Sequence, residues 1–359
     1  MNLTAVKAAL LEGLRLNRWP IVAIVTYVAC AELAGRVYGF KIDLGAYNDV
    51  WIVLNLTVLS LAVAGLLLHG LIKRQPERPF AFARELLVKD WEIGRRAAAA
   101  LPMFLLLPVF FSSFSSVKSA IGTMGSYHFD PLFVRMDRML FLGHDPWSAM
   151  QPLLGWPIVT FALNFCYNLW FFLFYSVMAC VLVTTGRPEM RNQFLLSTVA
   201  ICGLLGGVGA VLFASVGPCF YADFYSNAPH AFVEMAAYLK GANTHYPIWA
   251  LETQHMLLDA ERTGKPVLGE GITAMPSVHV ALAMLMAIVG WRVSRWAGIG
   301  GTVFLALILI GSVHLGWHYA VDGIASLIAT PLIWLAAGWV ARLPFPSLGF
   351  APAGRPAPV

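Results

Sequence analysis

Charged residues are scarce in this chain. Asp, Glu, Lys and Arg make up 12% of its 359 residues, whereas soluble globular domains carry about 25%. Hydrophobic residues make up 59% of the sequence, and the mean hydropathy is +0.71. Because too little polar surface remains to cover a globule of this length, a soluble multidomain protein is excluded and a polytopic membrane protein is indicated.

The chain also lacks the cysteine spacing of a metal site or a disulfide framework. Its five cysteines lie mostly within apolar runs, which excludes a small secreted fold held by disulfides. No repeat of roughly 20–50 residues is present. The formal net charge of +5 does not indicate nucleic acid, because cations in a membrane protein usually mark its cytoplasmic side. We therefore expect no nucleic-acid partner.

Long apolar runs are what the sequence does contain. A helix that crosses roughly 30 Å of hydrocarbon needs about 20 apolar residues, and eight runs of this kind are bounded by charges or Pro/Gly clusters. The predicted spans are Pro20–Val37, Trp51–Ile72, Ala97–Val117, Pro157–Thr184, Phe194–Val216, Met275–Val293, Ile299–Trp317 and Asp322–Ala341. The sequence thus predicts an all-α polytopic membrane protein with about eight transmembrane helices.

Positive charge is distributed unevenly over the connections between these spans. When alternate connections are assigned to opposite sides, 16 of the 24 Lys and Arg residues fall on one side, which the positive-inside rule makes cytoplasmic. These are Lys7, Arg15, Arg18, Lys73, Arg74, Arg78, Arg84, Lys89, Arg95, Arg96, Arg187, Arg191, Arg292, Arg295, Arg342 and Arg355. We expect an integral protein of a bacterial inner membrane with both termini in the cytoplasm. All nine histidines except His69 map to the other side, which indicates chemistry at the periplasmic or outer face.

The chain divides into three predicted parts. Residues 1–96 hold two spans and a cytoplasmic connector, in which 73–96 form either an amphipathic helix on the anionic inner surface or a solvated linker. Residues 97–342 hold the other six spans, and 343–359 form a Pro-, Ala- and Gly-rich tail that we expect to be disordered. The long outer connection, 217–273, is predicted either to cover a headgroup site or to be a plain structural loop.

Three polar residues stand where apolar spans begin or end on the outer side: His279, His318 and Asp322. If the segment is helical, His318 and Asp322 share one face, where the carboxylate would orient the imidazole and leave its other ring nitrogen free to attack an electrophile. The sixth span runs inward from His279 and the seventh returns to His318, so the two histidines can meet. A single histidine at a membrane interface is usually a satisfied polar residue, but converging ionisable groups indicate a site.

The segments around these residues resemble the signatures of a known enzyme family. MPSVHVALA, followed by HYAVDG with its histidine 39 positions after the first, resembles two signatures of the type 2 phosphatidic acid phosphatase superfamily, most closely its inositol phosphorylceramide synthase-like (inositolphosphotransferase) branch. Weaker similarity covers 115–147 and 217–221. The resemblance implies a six-helix catalytic bundle within 97–342 that needs no metal or other cofactor. It also implies His318 as the nucleophile that forms a phosphohistidine, Asp322 as its orienter, and His279 as general acid and base.

Two departures from the phosphatase branch concern its cationic phosphate ligands. The Arg78-Pro79 pair has Leu71 where that signature has lysine, and it maps to the inner side. Ser312 stands where the branch has an arginine six residues before the nucleophile. Because a transferred phosphoryl group needs such donors, other residues must replace them. The candidate phosphate or substrate ligands are Lys118, at the lysine position of the synthase-like branch, with His314, Ser277, Arg138 and Tyr221.

Some of these side chains also have structural interpretations. Lys118 would serve as an interface anchor if its amine snorkels to the headgroups. Arg138, and Arg135 beside it, would be neutralised if they pair with Asp130 and Asp137.

The absence of both arginine ligands from the outer site favours a phosphate donor with a lower charge than a dianionic monoester. We predict a lipid phosphotransferase that moves a phosphoryl-alcohol headgroup from a phospholipid to a lipid alcohol. The alternative is a lipid phosphatase that uses water and acts on phosphatidate or an isoprenyl pyrophosphate. Rivals of other classes are a small-molecule transporter, disfavoured because the ionisable groups cluster at one surface, and a metal site of His279, His314 and His318.

Overall fold

The structure is a computed structural model and describes residues 3–225, 230–264 and 271–345. Within those ranges every regular element is helical. The α-helices are α1 (Leu3–Leu16), α2 (Arg18–Tyr38), α3 (Asn48–Arg74), α4 (Pro79–Glu85), α5 (Ile93–Ser119), α6 (Ile121–Met124), α7 (Asp130–Leu140), α8 (Pro146–Leu154), α9 (Pro157–Leu182), α10 (Pro188–Ala200), α11 (Ala210–Leu212), α12 (Tyr221–Phe224), α13 (His230–Asn243), α14 (Trp249–Thr263), α15 (Val278–Val293), α16 (Arg295–His314) and α17 (Ala320–Arg342). The π-helical segment Leu86–Asp90 follows α4, and Ile201–Gly209 joins α10 to α11.

Seven helices of the described chain are long and apolar enough to cross a membrane. They are α2, α3, α5, α9, the continuous run from α10 to α11, α16 and α17. The predicted all-α polytopic membrane fold is thereby confirmed, and the protein is an integral membrane protein. Its orientation and the kind of membrane stay predictions.

The eighth predicted span differs from the others in length. It is α15, an apolar helix of 16 residues, which at 1.5 Å per residue measures about 24 Å and falls short of the hydrocarbon thickness. The Ser277 side chain accepts the backbone N–H of Val280, and this N-cap starts the helix at Val278 rather than at the predicted Met275. His279 therefore lies in the first turn of a capped helix.

The N-terminal part of the chain differs from prediction in two respects. Helix α1 was not predicted; it precedes the first span and packs along α5. The 73–96 stretch is not one amphipathic helix, because α3 continues to Arg74 and α5 begins at Ile93, leaving only α4 and the π-helical segment between them. Phe80 and Val88 are exposed in this short element, as expected for a segment that lies on a membrane surface.

Polar contacts hold the junction of α1 and α2 against the rest of the bundle. The buried Asn17 side chain donates to the carbonyls of Gly13 and Ala99, at 2.6 and 3.2 Å. The buried Arg191 guanidinium donates to the Asn17 side-chain oxygen and, at 3.2 Å, to the carbonyl of Leu182. The start of the first span therefore packs as part of the bundle, and the predicted division at residue 96 stays a prediction.

The predicted tail lies largely outside the described residues, which end at Phe345. Up to that point the chain returns to the first span, because the indole Nε1 of Trp19 donates to the carbonyl of Leu343 at 3.1 Å. The ring of Phe345 lies edge-on to Trp19, with centroids 5.2 Å apart.

The long connection between α11 and α15 is folded in its described parts. Helix α14 docks on the bundle because the Ala250 N–H donates to the Asn164 side-chain oxygen of α9 at 3.1 Å. The Gln254 side chain donates to the carbonyl of Leu315, beyond the end of α16, at 3.0 Å. The connection thus packs over one end of the spans, which is the outer end under the predicted orientation and is called the outer end below.

Candidate active site

His318 lies in the turn between α16 and α17, at the outer end. Its Nδ1 is 3.3 Å from Oδ2 of Asp322, and the same oxygen accepts the backbone N–H of Tyr319 at 3.0 Å. Asp322 is fully buried, and His318 is 6% exposed. The spacing suggested that the two residues share a continuous helix, but they do not. They meet because Asp322, in the first turn of α17, reaches back across the start of the helix.

The buried carboxylate of Asp137, from α7, holds the start of α17. It accepts the backbone N–H groups of Ala320 and Val321, each at 2.9 Å. These are two of the donors that a helix N-terminus leaves without intrahelical partners. Burial raises the pKa of Asp137 to about 6, against the opposing effect of the two backbone donors. Asp137 thereby fixes the backbone that carries Asp322.

Asp130 lies seven positions before Asp137 on α7 and holds a second stretch of backbone, at Val216 and Gly217. It accepts the N–H groups of Val216 and Gly217, with shortest distances of 3.0 and 2.9 Å. It also accepts the phenol hydroxyls of Tyr319 and Tyr225, at 2.8 and 3.0 Å. One buried carboxylate therefore joins three segments that are distant in sequence.

His279 lies against the aromatic face of α9. Its ring stacks on Tyr167, with centroids 4.7 Å apart, and lies 4.3 Å from the ring of Trp170. The Trp170 indole N–H donates to the carbonyl of His279 at 3.1 Å. The ring centroids of His279 and His318 are 6.4 Å apart. A phosphoryl group between the two rings could therefore contact both of them.

Both histidines line a cavity of about 410 Å³. Its walls come from α3, α5, α9, the π-helical run after α10, α14 and α15, and most of them are aromatic or aliphatic. The π-helical run passes close to its neighbours because Gly206 has no side chain: a Cβ there would lie 2.8 Å from atoms of Phe114 and Val278. Among the described residues that line the cavity, Lys118 supplies the lone Lys or Arg side chain.

The other four predicted phosphate ligands are not part of the cavity wall. The fully buried His314 turns its Nε2 to the Thr160 hydroxyl, at 2.9 Å, and that hydroxyl also bonds the phenol of Tyr238 at 2.8 Å. Tyr221 stacks on Tyr225, with ring centroids 4.6 Å apart. Ser277 acts as the N-cap of α15.

Arg138 forms a different ion pair from the one proposed. Its Nε and Nη2 donate to the two carboxylate oxygens of Asp145, at 2.8 and 3.2 Å. Pairing of Arg138 with Asp137 is therefore wrong, because Asp137 is committed to the backbone of α17.

The geometry also bears on the metal alternative. Because His314 faces Thr160 whereas His279 and His318 face the cavity, the three rings do not converge on one point. Over residues 3–225, 230–264 and 271–345, no group of three His, Cys, Asp or Glu side chains is placed to hold a metal ion.

Several residues around the histidines were not assigned to the site from the sequence. Asp130 and Asp137 carried a usable signal, since two acids seven positions apart lie on one face of a helix in a chain with little charge. Tyr167 and Trp170 carried none, because aromatic residues occur all along the spans.

The fold and this site define an all-helical integral membrane protein with two histidines and an aspartate around an apolar cavity. The chain matches the PAP2 superfamily over residues 132–336, which is more than half of its length and includes all three of these side chains. It therefore belongs to the PAP2 superfamily. Membership supports a lipid phosphatase or phosphotransferase activity on membrane lipids. Comparisons with curated proteins and with solved structures gave no match.

Proposed function

We propose that this protein is a lipid phosphotransferase of the inositol phosphorylceramide synthase-like type, which moves a phosphoryl-alcohol headgroup between membrane lipids at the outer face. The observation that carries this proposal is the charge of the cavity wall, where Lys118 is the one Lys or Arg of the described lining. A phosphomonoester carries roughly two negative charges near neutral pH, whereas a phosphodiester carries one. A single cation matches the diester better than the monoester.

In the first half-reaction His318 is the nucleophile. Its Nδ1–H donates to Asp322, a role supported by the 3.3 Å separation, and this leaves the lone pair of Nε2 for attack on phosphorus. The N–P bond forms while the bond between phosphorus and the oxygen of the departing lipid alcohol breaks. His279 gives its proton to that oxygen. Lys118 contacts a phosphoryl oxygen, and a phosphohistidine that carries the headgroup remains.

In the second half-reaction the hydroxyl of an acceptor lipid attacks the same phosphorus. His279, now neutral, takes the hydroxyl proton, and the N–P bond to His318 breaks. The new phospholipid leaves, and both histidines return to their starting states. Water in place of the acceptor would complete a hydrolysis, so the choice of acceptor separates a transferase from a phosphatase.

The test is a turnover assay on the purified protein in lipid vesicles. Phospholipid donors labelled at phosphorus are supplied together with a lipid alcohol, and the products are separated. We expect a new labelled phospholipid that the His318→Ala and His279→Ala variants do not form. The matched control is His314→Ala, which removes a buried histidine that faces away from the cavity and should retain much of the turnover.

Two results would contradict the proposal. Labelled water-soluble phosphate or phosphoalcohol without a new lipid would favour the phosphatase. Loss of turnover in excess chelator, restored by zinc, would refute the metal-independent phosphohistidine route.

A further inference from the structure

Part of the cavity wall comes from a span that lies outside the family match. Tyr47, directly before α3, and Val50, in its first turn, line the cavity, whereas the match begins at residue 132. The Tyr47 N–H donates to the Ser112 hydroxyl of α5 at 2.9 Å. These contacts make the outer end of α3 a wall of the same cavity that holds the two histidines.

Trp51 holds this end of α3 in place. It is fully buried, and its indole N–H donates to the carbonyl of Phe104 at 2.8 Å. Its ring lies 5.9 Å from Phe111 and 5.8 Å from Tyr175, both of which line the cavity. The wall is therefore built into the bundle by packing and hydrogen bonds.

The cavity also reaches the outside of the bundle beside α3. Asn168 and Phe172 lie one turn apart on α9, which packs against α3. Both residues line the cavity and both are exposed, Phe172 to 54%. Helices α3 and α9 are both long and apolar enough to cross a membrane, so a lipid can reach this opening from the side of the bundle.

The chemistry of the lining changes along the cavity. The ionisable groups Lys118, His279 and His318 lie on α5, α15 and the turn before α17. On the side of α3 and the opening, the lining includes Val50, Phe111 and Phe172. An anionic headgroup fits the first region, whereas desolvation makes the second region favourable for a hydrocarbon chain and costly for a charge.

We infer that the space between α3 and α9 is a binding subsite for the hydrocarbon chain of a membrane lipid. The lipid enters sideways past Asn168 and Phe172, its chain lies against Val50, and its phosphate reaches the histidine pair. The inference rests on the proposed function for what happens at the phosphate. It assigns the α3 span the role of selecting lipids by their chains.

A pair of variants on α3 tests the subsite. Val50→Trp fills the cavity beside α3, whereas Val53→Trp adds the same bulk one turn away at a position that is 63% exposed. The readout is the ratio of kcat/KM for a long-chain donor to that for a short-chain donor with the same headgroup. We expect Val50→Trp to lower this ratio about tenfold, the equivalent of about two methylene groups that can no longer be buried. The ratio should not change in Val53→Trp, and an unchanged ratio in Val50→Trp would overturn the inference.

A binding measurement keeps the subsite testable without turnover. A phospholipid with a photoreactive diazirine in its acyl chain is irradiated with the His318→Ala protein in vesicles, and the labelled peptides are mapped. We expect adducts at lining residues 47–50 and 171–175 that the added Val50→Trp substitution removes and Val53→Trp does not. Labelling confined to the lipid-facing side of α3, and insensitive to Val50→Trp, would overturn the subsite. Lining adducts from a wild-type protein that turns over no lipid would uphold the subsite and refute the proposed function.

Discussion

Replacing Asp322 with Asn separates the charge of this residue from its structural contact. The Asn side chain keeps an oxygen that can accept the Tyr319 N–H, which lies 3.0 Å from Oδ2 in the native protein. It loses the negative charge that faces His318 Nδ1 at 3.3 Å, and it no longer selects the ring tautomer that leaves Nε2 free. The substitution should therefore impair the nucleophile while the helix start is preserved.

The size of the effect can be worked from the burial of this pair. A hydrogen bond to a charged group contributes about 1.5–3 kcal/mol, and because Asp322 is fully buried, water does not weaken the interaction. If that stabilisation is lost in the transition state, kcat falls about 10- to 160-fold. The assay is lipid turnover at saturating donor, normalised to folded protein by the thermal transition of each preparation.

The matched control is Asp137→Asn. Asp137 is also a buried carboxylate at the start of α17, but it accepts only backbone N–H groups and does not contact His318. This variant should change the melting temperature, through the start of α17, with little change in kcat. Wild-type kcat in Asp322→Asn, or equal losses of kcat in both variants, would refute the reasoning, since the carboxylates would then act only on the helix.

Three further predictions concern the surroundings of the site. In His314→Ala the turnover should fall much less than in His318→Ala, because the His314 ring faces Thr160 rather than the cavity; comparable losses in the assay would contradict this placement. In Asp130→Ala the N–H groups of Val216 and Gly217 and the Tyr319 hydroxyl lose their acceptor, at a cost of about 1–3 kcal/mol each, so the melting temperature should drop more than in Asp130→Asn, and equal values would be inconsistent with the network. The pKa of Asp137, raised by burial to about 6, exceeds its unfolded value of about 3.9, so the folded state binds the proton more tightly. The stabilisation that protonated Asp137 contributes is therefore largest below about pH 4 and is lost as the pH rises through about 6. Over that range the melting temperature of Asp137→Asn should decline less than that of the wild type.

The approach of the two histidines was accessible from the sequence for a simple reason. Helices α15 and α16 are antiparallel and joined by Ser294 alone, so residues near their outer ends lie at similar depth. The contact between His318 and Asp322 was also predicted, although its local structure was not. The spacing suggested one helical face, whereas the carboxylate reaches back from α17 to a residue that precedes the helix.

The surroundings of the histidines were not accessible in the same way. Asp130 bonds backbone groups 86 and 87 residues away and a phenol 189 residues away, and no local pattern reports such pairings. Hydropathy finds the spans but does not separate a cavity-facing aromatic residue, such as Tyr167, from the exposed Phe165. The wall supplied by α3 depends in the same way on how the spans pack, which is a tertiary property.

The most direct test is to trap the covalent intermediate. Protein mixed with a phosphorus-labelled donor, without acceptor, is quenched rapidly under alkaline conditions, digested, and searched for a labelled histidine. The account predicts an acid-labile label on the peptide that contains His318, its absence from His318→Ala, and its discharge when the acceptor lipid is added. Rapid turnover without any labelled histidine, or a label that persists in His318→Ala, would contradict the account.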